Sequence, residues 1–186
     1  MANSYFSDQT FKSAKSIEKG EYEVCRFENC ILPNSDFSGI TFIECEFINC
    51  DFSSSKLYDA SFNDVIFKDS KLLGLRFEDC NEFLFSIEFQ SCNLNLTSFY
   101  QMNPKSIVFR DCNLKEVDFT EADLAETLFD KCDLDAAIFK NTNLKKADFS
   151  SSYNFSIDPQ INNIQQAKFS LQGLPGLLEK FNLNIE

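Results

Sequence analysis

Eight cysteines and 29 aspartates and glutamates are the side chains here with the most chemistry in them. Clustered thiolates could hold zinc or close disulfides, and two carboxylates at fixed separation could cleave a glycosidic bond. The surroundings argue against both. No Cys-x-x-Cys pair occurs and there is no histidine, so the thiols lack the usual ligand spacing and the usual co-ligand. Without histidine, no Ser or Cys nucleophile has its common base. No Gly-x-x-x-x-Gly-Lys loop is present to cradle a phosphate. The expectation is a protein without catalytic residues, cofactor or metal.

What must position these groups is a repeat of five. From Ile107 to Ser151 the third residue of every five is Phe or Leu: Phe109, Leu114, Phe119, Leu124, Phe129, Leu134, Phe139, Leu144 and Phe149. The first is small or β-branched, and the second is mostly Asp or Asn. A period of five fits neither a helix nor a strand. From Tyr22 to Phe77 the same period holds, with Phe or Leu at every centre except Tyr22. It slips by two residues among Phe83, Leu84 and Phe85, then resumes at Phe89, with Pro104 as its other exception.

A period of 20 lies over the period of five. Cys92, Cys112 and Cys132 recur at 20, as do Cys25 with Cys45 and Cys30 with Cys50. Four repeats therefore make one square coil, and equivalent residues stack, which places Phe119 between Phe99 and Phe139. The centre and the small residue two before it point inward; the other three face water. All eight cysteines fall on the small inward position, which suits a buried hydrophobe. About seven parallel coils, three before the slip and four after, span roughly 34 Å at strand spacing. The few glycines leave the corners either avoiding positive φ or carrying it on Asn, Asp and Ser.

The chain divides into an irregular N-terminal cap (1–20), a first block (21–79), a hinge (80–88), a second block (89–169) and a tail (170–186). In the tail Leu171, Leu174, Leu177, Leu178 and Phe181 have helical spacing, predicting a short α-helix. Ser170 is its candidate N-cap, although Pro175 favours a start near Leu174. Leu183 and Ile185 alternate as in a terminal strand.

These features resemble the pentapeptide-repeat family, whose signature is Ala-(Asp/Asn)-Leu-x-x. Residues 122–126 match it, and residues 147–151 match it with Phe149 in the place of Leu. The resemblance covers about residues 20–169 and implies an all-β fold, a right-handed quadrilateral parallel β-helix. The register slip and the tail more narrowly resemble the quinolone-resistance members. That resemblance implies dimerisation through the C-terminal end, mimicry of duplex DNA, and binding to DNA gyrase or another type II topoisomerase.

The net charge of −12 opposes direct nucleic-acid binding. It is consistent with DNA mimicry, and equally with a charge that keeps a repeat protein soluble. The acidic candidates for a partner surface are Asp118, Glu121, Asp123, Glu126, Asp133 and Asp135. Lys140, Lys145 and Lys146 interrupt them. The homodimer candidates are Leu171, Leu174, Leu178 and Phe181. Outward Ile43, Ile48, Tyr58, Ile66, Leu73, Val108, Leu128 and Ile138 are either scattered apolars or a patch. No run of 18 apolar residues and no signal-like start is visible, so no membrane span and a cytoplasmic location are expected. An adaptor scaffold for an unrelated protein is the alternative function.

Overall fold

The computed structural model describes residues 4–184. Its strands, in chain order, are β1 (Ser4–Ser7), β2 (Thr10–Lys12), β3 (Gly20–Glu23), β4 (Arg26–Glu28), β5 (Thr41–Ile43), β6 (Glu46–Ile48), β7 (Ser61–Asn63), β8 (Val65–Lys68), β9 (Ser86–Gln90), β10 (Ser106–Arg110), β11 (Leu128–Asp130), β12 (Asp148–Phe149) and β13 (Lys168–Phe169). All pair in parallel, giving a four-walled solenoid of about eight turns. The first wall carries the sheet β1-β3-β5-β7. The second carries one nine-stranded sheet from β2 to β13. The third and fourth walls are held by single bridges, such as Asn113 with Asp133 and Asp118 with Ile138.

The period of five has a geometric cause. Each central Phe or Leu enters the tube, and in most repeats the residue two positions on turns the corner at positive φ; Asp79, in a 3-10 turn, and Ser151 depart from this. Beside Gly39 and Gly74, these corners hold Asn, Asp and Ser, and also Glu44, Gln101, Lys131, Ala136, Leu96 and Val24. Positive φ is costly for such residues. The compensation is a hydrogen bond to the next coil: the Asn29 N–H donates to Ile48 O at 2.9 Å and that of Val24 to Ile43 O at 2.9 Å.

Inside, the rings form columns. On the second wall Phe11, Phe27, Phe47, Phe67, Phe89, Phe109, Phe129, Phe149 and Phe169 stack with centroids 4.5–5.6 Å apart. Rings on opposite walls meet edge to face across the tube, as Phe109 and Phe119 do at 5.9 Å. Phe119 stacks on Phe99 at 5.4 Å and on Phe139 at 5.1 Å, as rows spaced by twenty require. Where the centre is Pro104, Met102 fills the tube from the small position.

Both ends differ from the expectation. Residues 4–12 add a further level, with Phe6 stacked on Tyr22 at 4.7 Å and β1 paired with β3, Ser4 against Gly20. This first coil is shorter than the later ones, which concealed the level from a count by twenties. The C-terminal helix is present, but it is a 3-10 helix, Leu171–Leu177, followed by a second, Glu179–Phe181. It begins at Leu171: the Ser170 hydroxyl accepts from Gly173 N, and Pro175 lies within it. A spacing of three suits a 3-10 helix as well as an α-helix, so the pattern did not separate them. Leu183 is in no strand, and Ile185 lies outside the described residues.

The slip is absorbed locally. Phe67 pairs with Phe89, one longer step than elsewhere in the column, and the second-wall sheet continues through this point. The extra residues go to a 3-10 turn, Phe77–Asp79, and a loop around Phe83 on the first wall. Phe85 takes the inward place against Phe62 and Phe77.

Candidate functional site

The cysteines are free and buried. Their thiols have a use beyond packing. Cys45 Sγ donates to Tyr22 O at 3.3 Å and Cys92 Sγ to Phe67 O at 3.4 Å, both in the coil beneath. Ser55, Thr142, Ser152 and Asn162 bond the same carbonyl from the same position, at 2.7–3.0 Å. The small inward residue therefore supplies a donor as well as a volume. Among the described residues, no group of three His, Cys, Asp or Glu side chains could hold a metal ion.

The Asp or Asn at the second position of each five is also structural. Its side chain accepts from the backbone N–H two residues on. Asp118 does so from Thr120 at 2.8 Å, Asp123 from Ala125 at 3.1 Å and Asp133 from Asp135 at 3.3 Å. Such Asx turns close the corner that follows. The recurrence of Asp and Asn in this column was the available signal, and reading the position as merely solvated missed it.

The six acidic candidates do not form one patch. Asp118 and Glu121 belong to the fourth wall and its corner, and Asp123 and Glu126 to the first wall and its next corner. Asp133 and Asp135 lie on the third wall, facing away from the first. Glu126 pairs with Lys146 at 2.6 Å, which holds its carboxyl below the usual range. Lys115 reaches Asp133 at 3.1 Å and Asp135 at 3.9 Å. Burial raises the Asp133 pKa, but bonds from Asn154 and Lys115 outweigh it and the net shift is down. Glu121 accepts from Gln101 Nε2 at 2.6 Å.

The second wall is balanced in charge. Lys12 pairs with Glu28 (3.0 Å), Arg26 with Glu28 and Glu46 (2.8 and 3.5 Å), and Lys68 with Glu46 (3.6 Å). Further along, Arg110 bridges Glu88 (2.9 Å) and Asp130 (3.9 Å), and Lys168 pairs with Asp148 (3.1 Å). Half-buried Val108 and Leu128 sit side by side among them.

Unpaired acids gather elsewhere, on the first wall toward the N-terminal end. Glu21 and Glu23 lie on β3; Asp8, Glu44 and Asp64 line the corner beside it, and Asp59 lies on the opposite corner. These six make none of the ion pairs found among the described residues. Glu23 accepts from the Tyr5 hydroxyl. A corner position recurs once per coil, about every 4.8 Å, against one phosphate per 3.4 Å on each DNA strand.

At the far end the tail seals the core. The faces of Gly173 and Gly176 lie on Phe155, and a Cβ on Gly176 would come within 2.1 Å of Phe155 O. The Ile157 N–H donates to Gly176 O, and Lys180 pairs with Asp158 at 2.6 Å. Leu177 packs on the core, whereas Leu171, Leu174 and Phe181 are exposed and Leu178 is half-buried. A groove of 640 Å³ opens there, its apolar lining made by Phe155, Pro175, Leu178 and Leu183. No described helix is long and apolar enough to cross a membrane.

The structure of full-length QnrB1, a plasmid-mediated fluoroquinolone resistance protein, is similar over 97% of this chain and 100% of that one, at 17% identity and a TM-score of 0.52. A trypsin-treated variant of QnrB1 is similar over 98% and 100%, at 18% identity and a TM-score of 0.50. HetL, a pentapeptide repeat protein of the cyanobacterium Nostoc sp. strain PCC 7120, covers 89% of this chain and 85% of its own at 18% identity and a TM-score of 0.47. No curated protein sequence matches significantly. The family model of the pentapeptide repeat region matches residues 40–119 and 82–157. With its four-walled coils and five-residue period, the chain belongs to the pentapeptide repeat family.

Proposed function

We propose that the chain is a non-catalytic cytoplasmic scaffold that presents a rigid acidic surface to a protein partner. The partner is a type II topoisomerase such as DNA gyrase, on which the solenoid stands in for DNA. The observation that carries this reading is the group of unpaired carboxylates on and beside the first wall, Asp8, Glu21, Glu23, Glu44, Asp59 and Asp64, on a rod of regular rise. QnrB1, similar in fold, is a fluoroquinolone resistance protein, which supports the choice of partner. Two copies join through the tail, where Leu171, Leu174 and Phe181 lie exposed beside half-buried Leu178.

The test is gyrase supercoiling with the protein added, with and without a quinolone. Inhibition is expected, weakening as salt rises because exposed charges are screened over about 8–10 Å. Glu44→Lys with Asp64→Lys should relieve it without unfolding, since Lys131 and Lys146 already occupy such corners. Asp118 and Asp123 are poorer choices, because they close turns. No effect on gyrase at micromolar protein would favour the adaptor reading. The charge balance of the second wall supports that reading, since it limits how far the rod can imitate a uniformly charged duplex. Phe181→Glu should give a soluble monomer by light scattering; a monomeric wild type would remove the dimer.

A further inference from the structure

We propose that the loop around Phe83, with Tyr58 and Tyr100 on the adjoining fourth wall, is a docking point for an arginine- or lysine-bearing segment of another protein. The inference rests on the reading of this chain as a protein-binding scaffold, not on the identity of the partner.

Phe83 is 79% exposed, while Phe85 fills the tube at that level with no exposure. The exposed ring is not on a loose loop. The Phe83 N–H donates to Asn81 Oδ1 at 2.9 Å, and the Phe85 N–H closes the turn onto Glu82 O at 3.2 Å. Leu84 takes the positive φ of that turn, at 59°. Phe83 is thus presented in a fixed place, which lowers the ordering cost of binding. A neighbouring outward column on the fourth wall reads Tyr58, Glu78, Tyr100. Its register is set by the Asp59 N–H bonding Asp79 O and by Phe77 stacking on Phe99 at 4.7 Å. Tyr58 is 72% exposed and Tyr100 39%. Exposed aromatics on the two walls that meet at the Asp59 and Asp79 corner mark an interaction site.

The local charge selects the occupant. Asp59, Asp79 and Glu121 lie along the corner between the two walls, Glu78 is in the fourth-wall column and Glu82 precedes Phe83, and Arg76 answers two of them, Glu78 at 3.3 Å and Asp79 at 3.4 Å. Lys56 and Lys105 are the other bases nearby. Aromatic faces attract cations, guanidinium above all. A second copy of this chain would set acid against acid, and a nucleic acid would bring phosphate to carboxylate.

The full chain, nitrogen-labelled, is titrated with a short peptide alternating arginine and leucine, and with the same peptide carrying citrulline for arginine. Saturable amide shifts are expected at residues 81–85 and at Asp59, Tyr100 and Gln101, for the arginine peptide only. Phe83→Ser should weaken binding about tenfold or more, as loss of an aromatic anchor does, with an unchanged melting temperature. Tyr58→Ser should weaken it independently. Absence of binding overturns the proposal, as do shifts spread along the Asp8–Asp64 corner and indifferent to Phe83→Ser. The supercoiling assay reads the topoisomerase proposal separately, so either can fail alone.

Discussion

A cysteine in this chain does what serine, threonine or asparagine does elsewhere in the same columns: it fills a small volume and donates to the carbonyl beneath. Burial has a second effect, pushing the Cys45 and Cys50 thiols up to about 12, with Tyr22 also at about 12 for the same reason. A group whose pKa is raised on folding holds a proton that the unfolded chain gives up. Its contribution to stability is therefore complete below about 8.5, the ordinary thiol value, and is lost as pH climbs toward 12. The melting temperature should be level near pH 7–8 and fall steadily above pH 9; a flat profile to pH 11 would contradict this. The native thiols should resist a thiol reagent that modifies all eight after unfolding. Thr97 gives the opposite lesson. It is buried, and its hydroxyl has no partner, unlike that of Thr142. Thr97→Val should stabilise by about 1 kcal/mol, read as a higher urea midpoint, because an unsatisfied buried group is removed. An unchanged midpoint would mean that the hydroxyl is satisfied after all. The inward direction of these residues was legible from the spacing; their hydrogen bonds were not, because a size rule says nothing about donors.

At the level of elements, the sequence was most legible where coils repeat and least where they stop. The centres from Tyr22 to Phe77 and, apart from Pro104, from Phe89 to Phe149 fall where the period puts them. Phe6 and Phe11 are also centres, five apart, but they pair with Tyr22 and Phe27 across a shortened coil, which hides them from a count by twenties. The close approach of β1 has a specific requirement. A Cβ on Gly20 would lie 2.3 Å from the Ser4 carbonyl oxygen. Gly20→Ala should release β1 while later coils stay folded, at a cost of about 1–3 kcal/mol, typical of overpacking. Hydrogen exchange should then lose protection at Ser4–Ser7 and keep it at Val65–Lys68. Unchanged protection at β1 would mean that the strand can shift to make room. In the tail, apolar spacing revealed a helix but not its kind; Gly173 and Gly176, which let it lie on Phe155, carry no periodic signal.

For the whole molecule, the net charge was legible and its placement was not. Asp118 to Asp135 look dense in sequence, yet a single coil distributes them over three walls and sets several against lysines. Asp8, Glu44 and Asp64 look sparse, yet the coiling aligns them on one corner. The parallel ladder linking each coil only to its neighbours also governs how the protein yields to force. Tension between the two ends pulls along the axis, so coils should peel off singly from a terminus. Each release of an ordinary coil, about 20 residues, lengthens the chain by up to roughly 66–72 Å. The coil that holds Phe83, running from Phe67 to Phe89, is longer and should extend it by up to roughly 73–79 Å. A single-molecule pulling trace would then be a sawtooth of nearly equal teeth, with a narrower one for the shortened first coil and a wider one partway along, a mechanical readout of where the register slips.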